Sequence, residues 1–149
     1  MKTLYIEDLS EGFIIAPTRR HIVTEAEIIR MGKEWDPQPF HIDKKAAEAS
    51  FFGGLVASTV HLYGIANILA NTGEEKLESV SGLGMTDMIN HKPAYVGDEL
   101  YVRSTCLSVR ESKSKPDIGV VRFKCELFNQ HDDVIFSFVS SALSKKRPT

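Results

Sequence analysis

The 149-residue chain is predicted to fold as a single α+β domain, a long antiparallel sheet wrapped around one central apolar helix. Three observations predict it. Leu55 to Asn71 is apolar nearly all round, as a helix buried at the centre of a fold is. Four long β-rich segments follow: Ser79 to His91, Glu99 to Arg110, Ile118 to Asn129 and Val134 to Ser144. The segments between them, Pro93–Asp98, Glu111–Asp117 and Gln130–Asp133, are short and turn-like, which favours antiparallel neighbours. A helix that must bury every face beside such a run of strands requires a sheet that curls around it.

Ahead of the central helix, Asp8-Leu9-Ser10-Glu11-Gly12 reads as a turn and Phe13 to Val23 as an extended segment rich in β-branched residues. Thr24 and Glu27 have capping-box spacing, so a helix of about ten residues starts there and ends near Trp35. Trp35 reads as its core anchor, with a substrate platform as the alternative. Asp36-Pro37-Gln38-Pro39-Phe40-His41 is expected to be a stiff, non-helical loop, because two alternate prolines remove donors and push their predecessors into extended backbone. A short helix, Lys44 to Ser50, takes Asp43 as its cap. Phe51-Phe52-Gly53-Gly54 is a corner where main chain can approach a ligand, with Gly54 next to the central helix. Gly73 is placed to end that helix.

Composition excludes several functions. A hydrophobic share of 42%, a charged share of 26% and a net charge of −2 describe a soluble domain with no global attraction to nucleic acid or to an anionic membrane. No apolar run approaches the roughly 20 residues that cross a bilayer. The first residues turn acidic where a signal peptide is apolar, so a cytoplasmic location is expected. Cys106 and Cys125 fall in strand segments without zinc-site spacing and read as buried thiols of a reducing compartment.

The chemistry concentrates at Asp36 and His41. A carboxylate and an imidazole five positions apart on a proline-braced segment can converge on one water, one group taking its proton while the other gives or orients a second. On spacing alone, a helix-ending Asp and a loop-bonded His are the favoured reading. Asp36, His41, Asp43 and His61 offer metal-ligand atoms but no familiar ligand spacing, and no metal is expected. Ser58, in Leu-Val-Ala-Ser, lacks a nucleophile-elbow pattern.

The hexapeptide Asp36-Pro37-Gln38-Pro39-Phe40-His41 resembles the Asp-x-Asn-Pro-(apolar)-His motif of the MaoC-like acyl dehydratases and (R)-specific enoyl-CoA hydratases, which have the hot-dog fold. The similarity continues through Asp43, Ala46 and Ala47, through Phe52-Gly53-Gly54-Leu55-Val56-Ala57-Ser58 and His61, and through Tyr95-Val96-Gly97-Asp98-Glu99-Leu100. It implies addition of water to a trans-2-enoyl thioester, or its removal from a (3R)-hydroxyacyl thioester, with Asp36 and His41 as the acid/base pair. It also implies an oxyanion donor in Val56-Ala57-Ser58, of which the Ser58 amide is the best candidate, and no cofactor beyond coenzyme A as part of the substrate. Two positions depart from the pattern: Gln38 replaces Asn, and Ala57-Ser58 stands where hydratases often carry His-Gly.

Within the resemblance, Gly54, His61 and Tyr63 are candidate substrate-binding residues, Tyr63 together with Leu62 and Ile65 on whichever helix face meets the acyl tail. His61 reads first as a satisfied pocket or interface histidine, with the substrate role as the alternative. Lys113 and Lys115 could meet coenzyme A phosphates but read more simply as a solvated hairpin tip, and His21, His91 and His131 need no role. A hot-dog thioesterase is a second functional class; it usually places a carboxylate on or beside the central helix, and residues 55–71 contain none. A non-catalytic acyl-thioester-binding subunit is a third. Exposed sheet edges make pairing with a second copy, a homodimer or higher homo-oligomer, the expected assembly.

Overall fold

A computed structural model describes residues Met1–Thr149, and its architecture is that of a hot-dog domain. The elements run β1 (Lys2–Leu4), a 3-10 turn (Ile6–Asp8), β2 (Ile14–Ile15), β3 (His21–Ile22), α1 (Glu25–Trp35), α2 (Pro39–Ile42), α3 (Lys44–Glu48), α4 (Thr59–Asn71), β4 (Glu75–Leu77), β5 (Ser79–Asn90), β6 (Glu99–Glu111), β7 (Ile118–Phe128) and β8 (Val134–Lys145). The main sheet has the order β2-β6-β7-β8-β5, with β3 also pairing β6, and its long neighbours are antiparallel. A small parallel pair, β1 with β4, stands apart from it.

Side-chain alternation explains which face the sheet buries. Leu100, Val102, Ser104 and Cys106 of β6 and Val121, Phe123, Cys125 and Leu127 of β7 point inward at every second residue. They meet Leu62, Ile65, Ala66 and Leu69, spaced along one face of α4 at the helical period. The opposite side of α4 is not covered: Val60 and Ile68 are exposed. The expectation of a helix buried on all faces therefore holds only for its inner stripe.

Four other expectations are corrected. The central helix begins at Thr59 rather than Leu55, because Val56 is engaged in an isolated bridge with Tyr95 and Ser58 caps the helix, its Oγ accepting from the His61 N–H at 3.2 Å. The Asp-to-His segment is not wholly a loop, since Pro39–Ile42 forms one helical turn. Pro39 occupies its first position, where a missing N–H costs nothing. Trp35 anchors no core, being 66% exposed at the end of α1. The predicted extended segment from Phe13 contains two short strands instead of one long one.

Gly73 follows α4 without a positive φ; its lack of a side chain is needed because a Cβ there would stand 2.4 Å from Pro17 Cβ. The four long strands lie where the hydrophobic pattern places them, within two residues at each end. Both cysteines are buried and free. No helix is long and apolar enough to cross a membrane.

Candidate active site

The geometry begins with Gly32, on the face of α1 against which α2 packs. A Cβ at this position would lie 2.7 Å from the His41 carbonyl oxygen and 2.9 Å from His41 Cβ. The helix and the turn carrying His41 therefore approach as closely as backbone allows. Asp36 caps the C-terminus of α1, its N–H donating to the Gly32 carbonyl at 2.9 Å. The His41 N–H in turn donates to the Gln38 carbonyl at 2.9 Å. The two prolines limit the backbone between these anchors.

The result is convergence. His41 Nε2 stands 3.5 Å from Asp36 Oδ2, with the imidazole buried and the carboxylate about one-third exposed. On its other side, His41 Nδ1 lies 2.5 Å from the Val56 carbonyl oxygen. A carbonyl only accepts, so Nδ1 carries the hydrogen and Nε2 of the neutral ring presents its lone pair toward Asp36. Phe40 packs edge-on against the ring at a centroid distance of 4.6 Å, fixing its tilt.

His41 opens on a cavity of about 350 Å³, lined also by Phe40, Phe52, Ala57, Thr59 and His91. Beside it, the chain entering α4 offers backbone donors. The Ala57 N–H is committed to the Ala94 carbonyl at 3.0 Å, whereas the Ser58 N–H donates to no protein acceptor. Ser58 is the cap of a 13-residue helix, so its amide stands at the positive end of the helix dipole.

A family model described as the MaoC like domain matches residues 16–124, which include every residue of this arrangement. The chain belongs to the MaoC-like dehydratase family. A MaoC-like dehydratase from Rhodospirillum rubrum is 36% identical and superposes with a TM-score of 0.88 over 98% of this chain and 99% of that one. The R-hydratase PhaJ1 from Pseudomonas aeruginosa, at 18% identity, shares the fold with a TM-score of 0.77 over 96% of this chain and 86% of its own. An uncharacterized Bacillus subtilis protein, YdeM, is 28% identical over 83% of this chain and 87% of its own length.

The family motif is thus brought together at Asp36 and His41; His41 and Ala57 line the cavity, whereas Asp36 and Ser58 do not. The Gln38 side chain is exposed, forms no hydrogen bond and contributes through its main-chain carbonyl. Gly54 lies at a different surface hollow with Tyr95 and Lys44. Tyr63 faces a separate cavity of about 180 Å³ between α4 and the sheet, with Phe138 and Ala66. His61 is buried away from the His41 cavity, with Nε2 3.2 Å from Glu27 Oε1.

Two features escape sequence reasoning. His91 joins the rim of the His41 cavity and bonds the Ser137 hydroxyl at 2.7 Å, while its neighbour Asn90 donates to Thr59 Oγ1 at 3.0 Å. The only sequence signal is that these two polar residues end a strand just before Pro93. The second feature is Glu27. Thr24 Oγ1 accepts from the Glu27 N–H at 3.2 Å, as the capping motif requires, but the Glu27 carboxylate turns instead to His21 and His61. Burial opposes ionisation of Glu27, yet the adjoining imidazoles, His21 first and His61 second, hold its carboxyl below the usual range.

Proposed function

We propose that this chain adds water across an enoyl thioester, or removes it from a 3-hydroxyacyl thioester, with Asp36 and His41 as the acid/base pair. The observation that carries this reading is the orientation of His41. Its Nδ1 is occupied by Val56, which leaves Nε2 to share a water with Asp36, and His41 itself lines a cavity. In hydration the pair takes a proton from the water as its oxygen bonds to C3. The π electrons move to the thioester oxygen, and C2 then receives a proton. The enolate oxygen requires a donor already in place, and the uncommitted Ser58 N–H supplies one. Residues 59–71 of α4 hold no carboxylate, which disfavours the thioesterase alternative.

The working assembly in this reading is a homodimer, because β5 ends the sheet with one backbone edge unpaired and Val80, Leu83, Met85, Met88 and Ile89 exposed. Coenzyme A is the expected carrier and no further cofactor takes part. The test is a panel of short to medium trans-2-enoyl-CoA thioesters, followed by loss of the conjugated absorbance with a free-thiol detector alongside. Absorbance loss without thiol release supports hydration. Thiol release indicates thioester hydrolysis, and tight binding without either signal indicates an acyl-binding subunit; both overturn the proposal.

A further inference from the structure

Three elements meet behind the His41 turn: β3, the first turn of α1 and the start of α4. Each contributes one ligand-type side chain to the same point. His21 Nε2 lies 2.8 Å from Glu27 Oε2, and His61 Nε2 lies 3.2 Å from Glu27 Oε1. The three donor atoms lie within 4.8 Å of one another.

His61 is the decisive member. Its side chain is 97% buried, and neither ring nitrogen has a hydrogen-bond partner, although Glu27 Oε1 lies 3.2 Å from Nε2. A buried polar nitrogen left without a partner costs about 1–3 kcal/mol, so natural domains rarely keep one without use. Glu27, for its part, forgoes the capping contact its position invites in order to face two imidazoles.

We propose that His21, Glu27 and His61 form a binding site for a divalent first-row transition ion of the zinc class. Two imidazole nitrogens and one carboxylate oxygen suit such borderline ions, whereas magnesium and calcium favour all-oxygen shells. Donors bound at 2.0–2.1 Å to a tetrahedral ion are about 3.4 Å apart, so the widest gap here closes by at most about 1.4 Å. Glu27 and His21 are partly exposed and can make that movement, with the buried His61 as the fixed member. Three protein ligands leave a fourth position for water. The ligands lie away from the cavity beside His41, so the ion acts as a staple. It ties α4, whose N-cap is Ser58, to α1, whose C-cap is Asp36.

The test uses the full chain after chelator treatment. Zinc is titrated against a chromophoric chelator, and thermal unfolding is followed with and without zinc. The expected result is one equivalent bound and a rise in Tm of roughly 5–10 °C at a hundredfold excess over Kd. His21→Ala and Glu27→Gln, each confirmed folded by circular dichroism, should weaken binding at least tenfold and abolish most of the Tm rise. Asp36→Asn should leave zinc affinity unchanged. Cobalt substituted for zinc should give the visible absorption of a four-coordinate ion, lost in both ligand variants. No stoichiometric binding by the folded chain, or binding indifferent to both ligand variants, overturns the assignment.

Discussion

The His41 imidazole is held between two oxygens with different duties: Val56 O at 2.5 Å from Nδ1 and Asp36 Oδ2 at 3.5 Å from Nε2. The first contact fixes the tautomer, and the second sets the imidazole beside the carboxylate. The Asp36→Asn variant is expected to retain the fold, since the carboxylate is about one-third exposed and stands 3.5 Å from His41 Nε2. Its hydration rate should fall by at least about two orders of magnitude. In His41→Ala the same loss should come with destabilisation of about 1–3 kcal/mol, because the buried Val56 carbonyl loses its donor. Enoyl-CoA hydration rates and urea unfolding of both variants check this; unchanged activity in both would remove the pair from the mechanism.

Gly32 lets α1 approach the turn that carries His41. Replacing it with alanine gains about 1 kcal/mol of helix propensity in the middle of α1. Against this, the new methyl carbon would stand 2.7 Å from the His41 carbonyl oxygen, and overpacking of that kind costs about 1–3 kcal/mol. The clash should win. Gly32→Ala is expected to lower Tm and to reduce hydration roughly a hundredfold, the cost of displacing a positioned group by about 1 Å. A Tm at or above that of the wild type would show that the turn yields without strain.

The periodic parts of this fold were legible from residues alone. Strands β5 to β8 announce themselves by β-branched and aromatic content between short turns, and the inner stripe of α4 by its helical spacing. The start of α4 was not legible, because Leu55 to Ala57 are as apolar as a buried helix yet their backbone is held by Phe40, Ala94 and Tyr95. Asp36 and His41 were readable because both lie on one braced segment. The His21, Glu27 and His61 cluster was not. Its members come from three elements separated by 34 residues between Glu27 and His61, and Glu27 had a sufficient local explanation as a capping residue. Local motifs are visible to spacing, while sites assembled by tertiary packing are not.

The edge strand β5 carries apolar side chains that the single chain does not cover, and its bulged register still leaves a free backbone edge. A double variant, Leu83→Asp with Met85→Lys, should convert a dimer to a monomer at micromolar concentration while leaving secondary structure intact, since both positions are exposed in the lone chain. Sedimentation velocity distinguishes the outcomes. A wild-type monomer, or an unchanged dimer in the variant, would place the assembly surface elsewhere or dispense with it.

The two thiols give the chain an alkaline signature. Burial pushes both Cys106 and Cys125 above the usual thiol range, with the Ser108 backbone and the Ser104 hydroxyl respectively acting in the opposite direction. At pH 8 neither should react with an aromatic disulfide reagent in the native state, and both should react after denaturation. The same shift links folding to pH. Between the ordinary thiol value and the raised one, the unfolded chain has lost protons that the native chain keeps. The contribution is therefore complete below the ordinary value and declines as pH rises through the raised one. Urea midpoints should consequently fall as the pH climbs past about 9, and Cys125→Ala should reduce that slope even where the smaller side chain lowers stability overall. An identical alkaline slope in the variant would assign the loss to other groups.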